Sequence, residues 1–151
     1  MPLHGRAREF AARRFFDHHG LAPYIVAHNR VLPGTPYRPD FLFVDPATNV
    51  AVVVECDEDS HRRGYDRGDE THREYRIVRR LEDMGYAPVT LVRFDPSPDR
   101  TRFGARACVQ LQTVTDCVLA LLRNEDVSHV VARSPFTTVK STRHITRIQI
   151  Y

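Results

Sequence analysis

The chain has 151 residues and a mass of 17.4 kDa, enough for a single domain to bury one core without crosslinks. Hydrophobic residues make up 42% and charged residues 27%, and no apolar run approaches membrane-spanning length, which excludes a helical membrane protein and describes a soluble globular chain. The net charge is +3 and Lys140 is the sole lysine, so arginine carries almost the whole basic side; its planar fork suits phosphate, and a pI near 9.0 fits either a nucleic-acid ligand or a solvated arginine surface.

The N-terminal Met1-Pro2-Leu3-His4-Gly5-Arg6 lacks the apolar region of a signal peptide, which points to an intracellular site of action. From Arg6 to His19, Ala7, Phe10, Ala11 and Phe15 recur at helical spacing, with arginines on the remaining face. An amphipathic helix ended by Gly20 is expected. Adjacent helical positions diverge around the axis, so Asp17-His18-His19 reads as structure rather than as a chelate. Tyr24 to Leu32 is a predicted strand closed by the turn Pro33-Gly34-Thr35-Pro36. Phe41 to Val44 and Val50 to Cys56 follow as two more strands, and the short loop Asp45-Pro46-Ala47-Thr48-Asn49 makes them antiparallel neighbours.

A helix is predicted from about Asp69 to Met84, capped by Asp66 or Asp69 and ended by Gly85. Its buried stripe is Ile77, Leu81 and Met84, and extending it backward brings Glu70 and Arg73 inward. Ala87 to Phe94 is a further strand, and Ala105 to Arg123 a further helix carrying Val109, Val114, Cys117, Val118, Leu121 and Leu122. The widely spaced Cys56, Cys108 and Cys117 offer no CxxC pair, so neither a zinc site nor a disulfide framework is indicated. Residues 124–151 form a basic extension whose β-branched stretch Val139 to Tyr151 fits an edge strand or an arm. The order helix, three strands, helix, strand, helix predicts an α/β fold with a mixed central sheet flanked by helices, the second helix making a crossover.

Chemistry concentrates at one place. Val50 to Cys56 is an apolar, β-branched run of the kind buried on both faces, and Glu55 and Asp57 stand at its end, pointing to one face by alternation. Asp40 precedes the neighbouring strand, so three acids are expected to converge. Anions at the edge of a core repel one another and lose hydration, which calls for a cation or a basic partner. An arginine, Arg38 or Arg73, is the alternative neutraliser.

These residues support a resemblance. Pro39-Asp40 followed by a strand ending in Glu55-x-Asp57 resembles the PD-(D/E)XK nuclease superfamily, with its restriction-endonuclease-like α-β-β-β-α-β core. The likeness is closer to the very-short-patch-repair-like branch and to related proteins of large DNA viruses. It is carried by Arg38-Pro39-Asp40-Phe41, Val54-Glu55-Cys56-Asp57-Glu58, His61, Tyr65, Glu70-x-x-Arg73 and Pro88-Val89-x-x-x-Arg93-Phe94-x-Pro96, and covers roughly residues 36 to 98.

The resemblance implies Mg2+-dependent hydrolysis of phosphodiester bonds in DNA, with Mn2+ as a substitute and a single nuclease-like domain. It implies Asp40, Glu55 and Asp57 as metal ligands, the Cys56 carbonyl beside them, and His61 orienting or deprotonating the water. Most of the superfamily has a lysine two residues after the second acid; here Asp57 stands in that place. That departure leaves a second reading, a nuclease-fold module that binds nucleic acid or a protein without cutting. Glu70, Arg73, Arg93 and Arg38 are candidates to reach the metal or a phosphate, and Arg62 and Arg63 to grip the backbone from their loop. A chain this small that cuts both strands is expected to pair as a homodimer.

Overall fold

The computed structural model describes residues 3–57, 67–95, 105–133, 137–141 and 145–150. His61, Arg62, Arg63 and Tyr65 lie outside them. Helix α1 (Leu3–His18) is followed by the short 3-10 turn Ala22–Tyr24 and strand β1 (Ile25–His28). Then come β2 (Phe41–Val44), β3 (Ala51–Cys56), α2 (Arg67–Asp83), β4 (Val89–Phe94), α3 (Ala105–Leu122), α4 (Ser128–Arg133), β5 (Thr137–Ser141) and β6 (Thr146–Ile150). The strands form one mixed six-stranded sheet in the order β1-β2-β3-β4-β6-β5. β1, β2 and β3 run antiparallel, β4 lies parallel to β3 and to β6, and β5 returns antiparallel along β6.

Three helices stop by the same device. After α1, Gly20 takes φ +96°, and Leu21 N–H reaches back to the Phe16 carbonyl at 3.0 Å. After α2, Gly85 takes φ +97°, and Tyr86 N–H bonds to the Leu81 carbonyl at 3.1 Å. Asn124 plays this part after α3 at φ +56°, with Glu125 N–H on the Ala120 carbonyl at 2.8 Å. A residue that tolerates the left-handed region lets the chain turn while the last carbonyls find donors. In the β2–β3 hairpin, Asp45 accepts from Ala47 N–H through Oδ1 at 2.9 Å and Asn49 adopts φ +63°, which sets Phe41 opposite Val54 and Val44 opposite Ala51.

Alternation divides the core between the two faces of the sheet. Phe41, Phe43, Val52, Val54, Val92, Phe94, Ile148 and Ile150 pack with Ala12 and Phe16 of α1 and with Val114, Cys117 and Val118 of α3. Leu42, Val44, Ala51, Val53 and Leu91 pack with Ile77, Val78 and Leu81 of α2. Continuing the second set along β3 and β4 carries Glu55 and Arg93 onto the α2 face.

Five expectations change. The strand expected over Tyr24 to Leu32 is only Ile25–His28, because Tyr24 closes a 3-10 turn and Asn29 takes φ +51°. Among the described side chains of α1 the buried ones are Ala12 and Phe16, while Phe10 is exposed. Two overlapping apolar series share the helical period there, and period alone does not choose the phase. Met84 is exposed, because the turn at Gly85 brings Tyr86 instead against the Leu81 cluster. Val109 is exposed ahead of the buried Leu111 and Val114. The C-terminal extension is not an arm, and the edge-strand expectation holds only for its first part, since β5 is the sheet edge and β6 is not. It supplies α4 and the β5–β6 hairpin, and β6 lies inside the sheet with Ile148 and Ile150 almost fully buried.

Candidate active site

Asp40 sits at the bend opening β2 and Glu55 near the end of β3, and the antiparallel register makes them neighbours. They interlock through the backbone. Asp40 N–H donates to Glu55 Oε2 at 3.2 Å, and Cys56 N–H donates to Asp40 Oδ2 at 2.7 Å. Both carboxyls are pushed above the usual carboxylate range, Asp40 to about 6 and Glu55 to about 8. Burial is the main cause for both. The Cys56 N–H pulls Asp40 back down, and the Asp40 charge raises Glu55 further, against the opposing pull of Arg73.

Arg73 reaches this pair from α2. Its Nη1 lies 2.8 Å from Glu55 Oε1 and 3.5 Å from Glu70 Oε1, and its Nη2 donates to the Arg38 carbonyl at 3.4 Å. The contact with Glu55 has ion-pair distance without hydrogen-bond alignment, so Glu55 Oε1 is buried and accepts no directed hydrogen bond. That oxygen therefore has the charge of Arg73 as compensation but no aligned donor, and a cation could take it only by displacing or sharing the guanidinium.

Asp57 shares the face of Glu55 but not its neighbours. Arg93 Nε donates to both Asp57 oxygens, at 3.1 and 2.9 Å, and Nη2 also binds Oδ1. The same guanidinium reaches Glu70 Oε1 at 2.7 Å and Glu74 Oε1 at 2.5 Å through Nη1, and Arg147 on β6 adds a contact to Glu74 at 3.2 Å. Burial alone would weaken the charge on Arg93, but hydrogen bonds and attraction from Asp57 and Glu70 outweigh it and hold Arg93 firmly protonated. Asp40 and Glu55 are therefore brought together, while Asp57 is turned into an arginine-centred ion cluster. Among the described residues no three acid, histidine or cysteine side chains form a metal-holding group.

Glu74 was not singled out in the sequence, although it lies one turn before the buried Ile77 and Val78, where an acid signals an internal partner. Beside Asp40, on the α1 side, is a second polar chain. Glu9 Oε1 lies 2.9 Å from His28 Nε2, and Arg13 Nη1 lies 3.3 Å from His28 Nδ1. Arginine only donates, so Nδ1 accepts and the Nε2 proton goes to Glu9. Burial, with the Arg13 charge, keeps His28 below its ordinary pKa, and the ring stacks on Phe41 at 4.7 Å. No sequence spacing announces this pairing across α1 and β1.

No protein-family model matches the chain, and no curated protein or solved structure is significantly similar to it. No helix among the described residues is long and apolar enough to cross a membrane.

Proposed function

We propose that the protein is a metal-dependent endonuclease of the PD-(D/E)XK type that hydrolyses phosphodiester bonds in DNA inside the cell. The observation that carries this reading is the interlocked Asp40–Glu55 pair, two largely buried carboxyls on adjacent strand ends, with Glu55 Oε1 held by no aligned hydrogen bond and compensated by the Arg73 charge 2.8 Å away. Hard cations take carboxylate oxygens, and this donor set fits Mg2+, with Mn2+ as its substitute. When bound there, the cation supplies charge that offsets a scissile phosphate and makes water more acidic.

The chain's own residues have separable tasks. Asp40 and Glu55 hold the cation, and Cys56 N–H keeps the Asp40 carboxylate aimed. Arg73, next to Glu55 and partly open to solvent, is placed to meet the non-bridging oxygens of a phosphate. Arg93 neutralises Asp57 and fixes Glu70 and Glu74, so this ion cluster sets the position of α2 behind the site and stays out of the reaction. Water activation by His61 rests on the resemblance. Cutting both strands of a duplex then calls for a homodimer or two successive binding events.

A second reading is favoured by a specific observation: the acids at the end of β3 already face guanidinium groups, Glu55 that of Arg73 and Asp57 that of Arg93. On that reading the module binds nucleic acid without cutting it. Cleavage of duplex, single-stranded, mismatched and branched DNA and of RNA in Mn2+, beside Asp40→Ala and Glu55→Ala, separates the two. The nuclease reading expects cutting by wild type and none by either variant, and indistinguishable behaviour of all three proteins ends it. Thermal melting with Mg2+ and Mn2+ adds the metal itself, since a ligand that binds only the folded state raises Tm.

A further inference from the structure

Helix α2 carries Arg73, Arg76 and Arg80 at i, i+3 and i+7, which puts them on one stripe. All three meet the loop that leads into Asp40. Arg80 Nε donates to the Pro33 carbonyl at 2.6 Å, and Gly34 lets it come close, since a Cβ there would stand 2.9 Å from that nitrogen. Arg76 and Arg73 place their guanidinium carbons 5.7 and 5.8 Å from the centre of the Tyr37 ring, and Arg73 also takes the Arg38 carbonyl. One residue after Arg38 comes Pro39, then Asp40. The stripe therefore runs along the loop and ends at the carboxylate pair.

Its charge is only partly matched by the described residues. Among the described residues, Arg73 alone of the stripe has carboxylate partners, whereas no carboxylate lies in ion-pair range of Arg76, Arg80 or the neighbouring Arg79. Arg80 donates to a neutral carbonyl, and the ring contact of Arg76 consumes no N–H. At 1.5 Å per residue, seven residues of helix span about 10 Å. Measured along the axis of a duplex, that length passes about three phosphates of one strand. Evenly spaced guanidinium groups with unused donors, beside a half-buried aromatic ring and an exposed Arg38, are the ingredients of backbone binding.

We propose that Arg73, Arg76 and Arg80, with Tyr37 and Arg38, form a track that binds the sugar–phosphate backbone of a nucleic-acid strand and leads it to the Asp40–Glu55 pair. The track rests on the nuclease reading only for what happens at its end. Backbone binding requires neither metal nor cleavage.

The test is fluorescence anisotropy of the full chain with short fluorescein-labelled single-stranded and duplex oligonucleotides, in EDTA, over a salt series. Arg76→Glu should weaken binding about tenfold or more, and Arg76→Gln should lower the slope of log K against log salt by about one. Arg123→Glu/Arg133→Glu, on the groove between α3 and α4 that also contains His129, should leave binding close to wild type. Far-UV circular dichroism and Tm certify each variant's fold, and Arg76→Gln carries the test if the charge reversal does not fold. Wild type that binds neither oligonucleotide at low salt overturns the proposal. So does unchanged binding by Arg76→Gln, or equal weakening by the α3–α4 control, which would mean diffuse attraction to basic surface. Because EDTA suppresses cutting, failure to cleave in Mn2+ would defeat the nuclease reading and leave the track standing.

Discussion

Replacing Arg93 by methionine keeps much of the side chain's apolar length and removes one charge from the middle of an ion cluster. The guanidinium is buried and contacts Asp57, Glu70 and Glu74, so its loss leaves three carboxylates facing each other, with Arg147 on Glu74 and Arg73 on Glu70 as the remaining compensation. Removing one partner of a buried pair typically costs about 3–5 kcal/mol, because the other partner stays desolvated. For a chain of this size each kcal/mol moves Tm by about 2–4 °C, so Arg93→Met should melt roughly 6–20 °C below wild type. Urea denaturation monitored by circular dichroism gives the free energy directly. Adding Asp57→Asn to Arg93→Met should recover part of the loss, the double-mutant cycle showing coupling of about 1–3 kcal/mol. Arg93→Lys, which keeps the charge but not the fork, should fall between. A loss below about 1 kcal/mol with no coupling to Asp57 would refute the idea that this cluster holds α2 on the sheet.

Three other outcomes follow from the same structure. Asp40 and Glu55 hold protons more tightly folded than unfolded, so their share of metal-free stability is present at acid pH and is lost as pH rises from about 4 toward 8; Glu55→Gln should make Tm fall less over that range than in wild type, and Mn2+ should stabilise wild type most at the alkaline end. Burial and the Arg13 charge hold the His28 pKa below its ordinary value, so its stabilising share is present above its unfolded pKa and is lost as pH drops; His28→Phe should show less acid sensitivity between about pH 7 and 5 in the same melts. Ile148→Ala, in a strand at the interior of the sheet, should cost about 2–5 kcal/mol, and a value near zero would contradict the placement of the C-terminal hairpin in the core.

The sequence by itself determined the elements whose signals are local. Left-handed tolerance at Gly20 and Gly85 marked two helix ends, the turn chemistry of Asp45 to Asn49 made the β2–β3 hairpin, and the β-branched run of β3 announced a strand covered on both faces. The short loop that pairs those two strands also brings Asp40 to the end of β3 beside Glu55. Tertiary structure alone decided the rest, because those features depend on partners distant in the chain. The phase of α1 was settled by which of two apolar stripes met Phe41 and Phe43, and the irregular tail became strands only by lying next to β4. The fate of Asp57 was likewise out of sight. Strand parity puts it on the face of Glu55, but Arg93 comes from the adjacent parallel strand and Glu70 and Glu74 from the crossover helix, and their charges separate what spacing had grouped. Period reports which way a side chain points, whereas electrostatics depends on what it meets there.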